Sequence, residues 1–212
     1  MSPLKTASPD SKPELRSRNL APLDPQTVTL AQKGDPAALT ALVQALSPGI
    51  FRFALRMARS EEEARDITQD TFLRMIKSLD RYDPAWSFST WVYRIARNLC
   101  IDKARHKSRW RFRWPSRNTE ELEEEDPMSE LPDGKDSQLD RLLSLEVGET
   151  LEQALLKLKP NYREILVLYH FEELSYQDIA QVLGLPLGTV MNRIFRARQQ
   201  LRELLGDTLA PA

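Results

Sequence analysis

Residues 175–202, SYQDIAQVLGLPLGTVMNRIFRARQQLR, read as two short helices joined by a tight turn, the second of them basic. Ser175 with Asp178 three residues on is a capping signature, because the Ser hydroxyl can satisfy an orphan backbone N–H at a helix start. Ala180 is small where two helices would cross closely, and Gly184-Leu185-Pro186 stops the first helix and re-aims the chain. After the turn, Val190, Ile194, Ala197 and Leu201 recur at i, i+4, i+7 and i+11, one apolar stripe on a helix. Between Leu187 and Arg202 stand Arg193, Arg196, Arg198 and Arg202, with no acid among them. Asn192, Phe195, Arg196 and Gln199 fall opposite the stripe and face outward. A helix entering a DNA major groove needs amide and guanidinium groups for base edges and charges for the flanking phosphates. Thr189 and Arg193, beside them on the same helix, join the candidate contacts. A charged helix face is also what a solvated surface looks like. The outward Phe195 among arginines, together with the cap and turn spacing, is what favours DNA.

The whole-chain charge says little, since 30 basic and 31 acidic residues leave a net charge of −1 over 212 residues. Its distribution says more. Residues 91–113 hold eight basic side chains against Asp102, and residues 118–136 hold nine acids against Lys135. Opposite blocks so close together cancel in the total and leave strong local fields. The lone Cys100, between Leu99 and Ile101 in a helical pattern, reads as a buried thiol and excludes an intrachain disulfide. His106 and His170 are isolated, so no metal-ligand spacing is visible and neither metal nor cofactor is expected. The N-terminal stretch lacks an apolar segment of the secretory type. The longest uncharged run, Pro36 to Phe51, contains Pro and Gly and is short for a membrane span. A soluble, cytoplasmic protein without membrane insertion is the expectation.

No stretch shows strand alternation, so the fold class is all-α. Residues 1–25 are rich in Pro, Ser and charge and read as a disordered tail. A first helical domain spans 26–108. Within it, Asp35-Pro36 opens one helix, and Ser60-Glu61-Glu62-Glu63 launches another that runs to about Leu79. Asp80 to Ser87 is a loop containing Pro84, and a long helix runs from about Phe88 to Lys107. Residues 109–138, with Pro115, Pro127, Pro132, Gly134 and runs of Glu, form a flexible charged linker. A second helical domain, 139–206, is broken at Pro160 and at Glu172-Glu173, and 207–212 is a C-terminal tail. The layout is two helical domains on a tether, the second containing the helix-turn-helix.

In the first domain, Ala64, Ile67, Thr71, Met75 and Leu79 share one face, which is predicted to be buried. Asp66, Asp70 and Arg74 stack at i, i+4 and i+8 on another, where an Asp70–Arg74 pair would contribute about 0.2–0.5 kcal/mol. The following segment, DRYDPAWSFSTWVYRIARNLCIDKARHKSRWRFRW, places Tyr82, Trp86, Phe88, Trp91, Tyr93, Trp110, Phe112 and Trp114 among basic residues. Rings stack on unpaired bases at about 1–3 kcal/mol each while cations follow the backbone, so this interleaving suits single-stranded DNA. Trp91 and Ile95 share a helical face and fit a core equally well. Trp86 and Phe88, in or beside the loop, are the candidates for exposed stacking.

Three segments carry a family resemblance: DITQDTFLRMIKSL, then FSTWVYRIARNLCIDKAR, then LKPNYREILVLYHFEELSYQDIAQVLGLPLGTVMNRIFRARQQL. In this order and spacing they resemble the bacterial sigma factors of the extracytoplasmic-function (ECF) group. These are minimal members of the sigma-70 family that keep the two main helical domains. The resemblance covers about residues 26–205 apart from the linker.

The resemblance implies roles residue by residue. The face with Asp66, Gln69, Asp70, Phe72 and Arg74 looks like the surface that binds the clamp helices of the largest subunit of core RNA polymerase. The Tyr82–Phe88 loop with Trp86, and the helix carrying Trp91, Tyr93, Arg94, Arg97, Asn98, Asp102 and Arg105, look like the part that recognises and opens the −10 element. The helix-turn-helix, through Thr189, Asn192, Arg193, Phe195, Arg196 and Gln199, would read the −35 element of promoter DNA and dock on the flap of the second-largest subunit. Met191 and Asn192 stand where this family often has a basic residue and a Ser, so the −35 preference is not transferred. An anti-sigma factor is an implied partner, and a stress or envelope regulon an implied target. The acidic run from Glu120 to Asp126 reads either as a segment that folds back on the basic helices and suppresses DNA binding by the free protein or as a solvated tether. The resemblance implies a linker that threads into polymerase channels, where acidic groups could mimic nucleic acid. A dimeric helix-turn-helix regulator that never touches polymerase would explain residues 139–205 and leave the first domain without a role. For an enzyme there is no Gly-rich phosphate loop, nucleophile–base pair or metal spacing to build on.

Overall fold

The structure, a computed structural model, describes residues 23–108 and 148–206. The expectations placed on the N-terminal tail, the linker with Trp110, Phe112 and Trp114, residues 139–147 and the C-terminal tail lie outside these. Every regular element among the described residues is helical: α1 (Pro25–Gln32), α2 (Pro36–Ala58), α3 (Glu61–Lys77), a 3-10 turn (Leu79–Arg81), α4 (Phe88–Ser108), α5 (Gly148–Lys157), α6 (Pro160–Leu166), a π-helical turn (Val167–Phe171), α7 (Tyr176–Leu183) and α8 (Leu187–Leu205).

Four helices open on one device, a short oxygen-bearing side chain that accepts from an otherwise orphaned N–H. Asp24 accepts from Gln26 at 3.1 Å, Asp35 from Ala38 at 2.8 Å, Ser60 from Glu63 at 3.4 Å and Ser175 from Asp178 at 3.0 Å. Pro25 and Pro36 follow their Asp caps at the first helical position, where a missing N–H removes no bond.

Of these helices α2 is the spine of the first half. Its 23 residues continue through Arg52 and Arg56, past the uncharged run, and by length and composition alone it could cross a membrane. Instead Leu42, Leu46, Ile50, Phe53 and Ala54 are sealed in the core, packed with α1, α3 and α4. The face predicted for α3 is buried throughout: Ala64, Ile67, Thr71 and Met75, with Leu79 just beyond the helix. The expected Asp70–Arg74 pair is replaced by cross-helix pairs. Arg74 reaches Asp102 of α4 at 3.8 Å, and Lys103 of α4 reaches Asp66 at 3.3 Å.

In the second half the break at Glu172-Glu173 is a π-helical turn that ends on Glu173 at φ 52°, in the left-handed region. The Glu172 N–H bonds the Val167 carbonyl five residues back at 3.1 Å. The two halves are joined in this structure by more than a tether. Helix α4 packs against α7, and α2 packs against the π turn and α6, so one continuous core runs through both.

Candidate nucleic-acid and polymerase interfaces

The helix-turn-helix is built as its spacing requires. Gly184 ends α7 at φ 68°, a conformation that strains any residue with a Cβ, and the Leu185 N–H closes the turn on the Ala180 carbonyl at 3.0 Å. Helix α8 buries Val190, Ile194, Ala197, Leu201 and Leu205. Its other side exposes Thr189, Asn192, Phe195 and Gln199, with Arg193 and Arg196 half-buried beside them. Leu187 and Met191 are exposed two turns and one turn before Phe195 and continue it into an apolar strip. Arg198 serves inside the protein. Its Nε donates to His170 Nε2 at 3.2 Å, and its guanidinium lies 5.4 Å from the centre of the Tyr169 ring. Tyr169 in turn stacks on Tyr176 at 5.0 Å, so this arginine ties α8 to the π turn and to α7.

On α3, Asp66, Gln69 and Arg74 are exposed and Asp70 is half-buried. Phe72 lies in the core at 7% exposure, so it can support such a surface but not form it. Leu73 and Ile76, which the sequence analysis did not single out, are exposed at 47% and 44% and sit among these polar residues. Their signal was available: both fall off the Ala64–Ile67–Thr71–Met75 stripe that accounts for the buried face.

The aromatic segment is largely a small core of its own. Tyr82, Phe88 and Trp91 pack ring against ring at centroid distances of 5.0, 5.4 and 5.6 Å. Phe88, expected in an exposed position, is buried because it closes this triad at the start of α4. The Tyr82 hydroxyl donates to the Trp86 carbonyl at 2.6 Å, which fixes the loop. Burial, and then the Asp83 charge, raise the Tyr82 pKa above its ordinary value, so the hydroxyl stays a donor. Trp86 remains half-exposed, with the Arg94 guanidinium 5.6 Å from its ring centre, a ring and a cation side by side. Asn98 is half-buried and Arg105 exposed further along α4.

Tyr93 and Arg97 face the second half of the chain. Tyr93 is fully buried, edge-on to Phe53 at 5.8 Å, and its hydroxyl donates to Glu172 Oε2 at 2.6 Å. Burial first, and the Glu172 charge next, push its pKa well above the ordinary tyrosine value. Arg97 Nε donates to Glu164 Oε1 at 2.5 Å, and Thr90 Oγ1 donates to Asp178 Oδ1 at 2.8 Å. Around these contacts Arg52 lies 4.0 Å from Glu172, and the Arg56 guanidinium sits 4.0 Å from the centre of the Phe171 ring. Arg59 donates to the Leu156 carbonyl. In this arrangement, then, Tyr93 and Arg97, which the resemblance gave to the −10 element, have their partners in the second half of the chain.

Comparison with known proteins accounts for both halves. The chain matches the Sigma-70 region 2 model over residues 42–110 and the Sigma-70 region 4 model over residues 148–201. It is 37% identical over 177 residues to the ECF RNA polymerase sigma factor SigW of Bacillus subtilis, covering 83% of this chain and 93% of that protein. It is 36% identical over 182 residues to the ECF RNA polymerase sigma factor SigE of Mycolicibacterium smegmatis, covering 84% of this chain and 67% of that protein. Among solved structures, CnrH in complex with the cytosolic domain of CnrY superposes with a TM-score of 0.62 at 28% identity, over 86% of this chain and 97% of that one. The sigma factor RpoE of Bartonella quintana, in complex with the anti-sigma factor NepR, shares the fold at a TM-score of 0.58 and 24% identity, over 78% of this chain and 95% of that one. With region 2 in its first half, region 4 in its second and this degree of identity running through both, the chain belongs to the ECF sigma factors of the sigma-70 family.

Proposed function

We propose that the chain works in the cytoplasm as a promoter-specificity subunit: it binds core RNA polymerase, brings it to a set of promoters and helps to open them. One observation carries this reading. The two regions occur in order on a single chain that matches SigW across 93% of that protein's length. A dimeric helix-turn-helix regulator would need the second region alone.

The individual roles follow from the surfaces. The α3 face, with Asp66, Gln69, Asp70 and Arg74 around exposed Leu73 and Ile76, offers the charge and apolar area that docking on the polymerase clamp requires. Trp86 beside Arg94 offers stacking and phosphate contact to an unpaired base. Opening DNA costs about 1.4 kcal/mol per stacked step, and extruding a base costs a few kcal/mol more. A few such contacts offset part of that cost for the preferred sequence. On α8, Asn192, Arg193, Arg196 and Gln199 address base edges and phosphates of the −35 duplex. An anti-sigma protein, as NepR is to RpoE, is the partner we expect for the exposed apolar strip at Leu187, Met191 and Phe195.

Reconstitution with core polymerase tests the reading. Transcripts made from fragmented genomic DNA should start at a small set of related promoters, with permanganate-reactive thymines around −10 that require both polymerase and this protein. Stable dimeric binding to a palindrome, with no thymine reactivity when polymerase is added, would replace it with the regulator.

A further inference from the structure

Helix α4 carries Thr90, Tyr93 and Arg97 at i, i+3 and i+7, on one face, and each meets an acid of the second half. The partners are Asp178 on α7 at 2.8 Å, Glu172 beyond the π turn at 2.6 Å and Glu164 on α6 at 2.5 Å. Three separate elements thus deliver three carboxylates to one face of one helix. Glu164 and Glu172 are 2% and 1% exposed, and Thr90 and Tyr93 are 1% and 0% exposed, so water is excluded from the centre of the seam, with Arg97 and Asp178 half-buried at its edges. Arg52 on α2 adds a second cation beside Glu172 at 4.0 Å.

We propose that this triad is an intramolecular latch: region 4 holds region 2 shut by placing carboxylates where the backbone of an opened DNA strand would lie. Its effect on DNA rests on the proposed promoter-opening role, whereas the closure itself does not. The chemistry suits a latch more than a permanent core. A buried ion pair gains little over its separated, hydrated partners, because desolvation consumes most of the Coulomb attraction. Opening rehydrates Glu164, Glu172 and Arg97 together, so the polar part of the seam can part at small net cost. Breaking one partner while the seam stays shut is expensive, and that gives the interface its specificity. The apolar contacts that run through both halves add to the cost of opening, and the polar triad decides whether they close in register. A partner that binds both regions at separated places, as a promoter-bound polymerase would, draws the equilibrium toward the open form.

The test uses the full chain with a donor and an acceptor dye on Glu62→Cys and Glu203→Cys, both exposed, while Cys100 stays buried and unlabelled. The free protein should show a single high-transfer population. Glu164→Arg sets two guanidinium groups against each other and should shift the closed–open ratio by about a hundredfold or more. The exchange Arg97→Glu with Glu164→Arg should restore high transfer. Thr90→Val, an isosteric change that leaves each half intact, should shift the ratio by about fivefold. Affinity of the free protein for a single-stranded −10 oligonucleotide should rise in step with the open fraction for Glu164→Arg and Thr90→Val. A low-transfer wild type, or folded Glu164→Arg and Thr90→Val proteins with unchanged transfer, overturns the latch. Opening without a gain in strand affinity overturns its role in blocking DNA. If the variants open yet no form associates with core polymerase, the proposed function fails while the closure stands.

Discussion

The Tyr93 hydroxyl reaches Glu172 through a gap that Gly49 leaves in α2: a Cβ at Gly49 would stand 2.5 Å from that hydroxyl and 3.2 Å from Glu172 Oε2. Gly49 therefore acts by close approach, not by backbone freedom. Tyr93→Phe removes the donor and leaves the buried Glu172 carboxylate short of one hydrogen bond, which should cost about 1–3 kcal/mol. Gly49→Ala overpacks the same point and should cost a similar amount, about 1–3 kcal/mol. Since both changes strike one contact, the double variant should be less than additive in thermal or urea unfolding.

Ile194 and Phe195 are neighbours on α8 with opposite exposure, 3% and 42%. Ile194→Ala should cost about 2–5 kcal/mol through the lost burial and the cavity left behind. Phe195→Ala should leave stability within about 0.5 kcal/mol and act on binding alone. Urea unfolding beside promoter binding by the reconstituted holoenzyme separates the two. A large stability loss at Phe195 would mean that its ring packs inward.

Much of this was legible in the sequence, because helices advertise themselves through caps and stripes. Asp35, Ser60, Ser175 and Gly184 marked helix ends that the structure repeats, and the α3 and α8 stripes marked their buried faces. Periodicity does not say what covers a face, however. Phe88 and Tyr93 looked like candidate stacking rings because they stand among basic residues, and the structure buries both. Phe88 is covered locally by Tyr82 and Trp91, whereas Tyr93 and Arg97 are taken up by Glu172 and Glu164, 79 and 67 residues away in the chain and beyond the reach of any local pattern. One hint was present. Glu164 sits with Arg163 at the head of the apolar run Ile165 to Leu168, where a buried acid must find a cation.

Alkaline titration gives a prediction with a definite sign. Burial holds the Cys100 thiol far above its ordinary value of 9.0, with Glu164 adding to the shift. The native chain keeps that proton while the unfolded chain loses it above about pH 9. The stabilisation is whole below pH 9 and declines at higher pH, by about 1.4 kcal/mol per pH unit. Arg163 runs the other way from a higher pH. Burial, and then the Arg59 guanidinium, bring it down to about 10, so its native form sheds a proton that the unfolded form keeps. Between pH 9 and 10 the unfolded-state counterparts of half-buried Tyr82 and buried Tyr93 begin to ionise too, so the thiol is isolated by comparison with Cys100→Ala, which keeps every other group. Urea midpoints measured there should fall more steeply for the wild type than for Cys100→Ala, and equal slopes would refute the assignment.

Arg196 and Arg198 stand two residues apart on the basic helix, and the structure gives them different work. Arg198 is engaged with His170 and Tyr169, so Arg198→Ala should lower stability by about 1 kcal/mol and disturb DNA contact only through the helix position. Arg196 lies on the side with Asn192 and Gln199. If it reads a base, Arg196→Ala should cost about 1–3 kcal/mol on the preferred promoter and much less on one altered at that base pair. A phosphate contact would instead weaken all promoters alike and lower the slope of log K against log salt by about one. Holoenzyme binding to a panel of −35 variants at several salt concentrations distinguishes the two. An Arg196→Ala holoenzyme with wild-type affinity on the whole panel would remove Arg196 from the DNA interface.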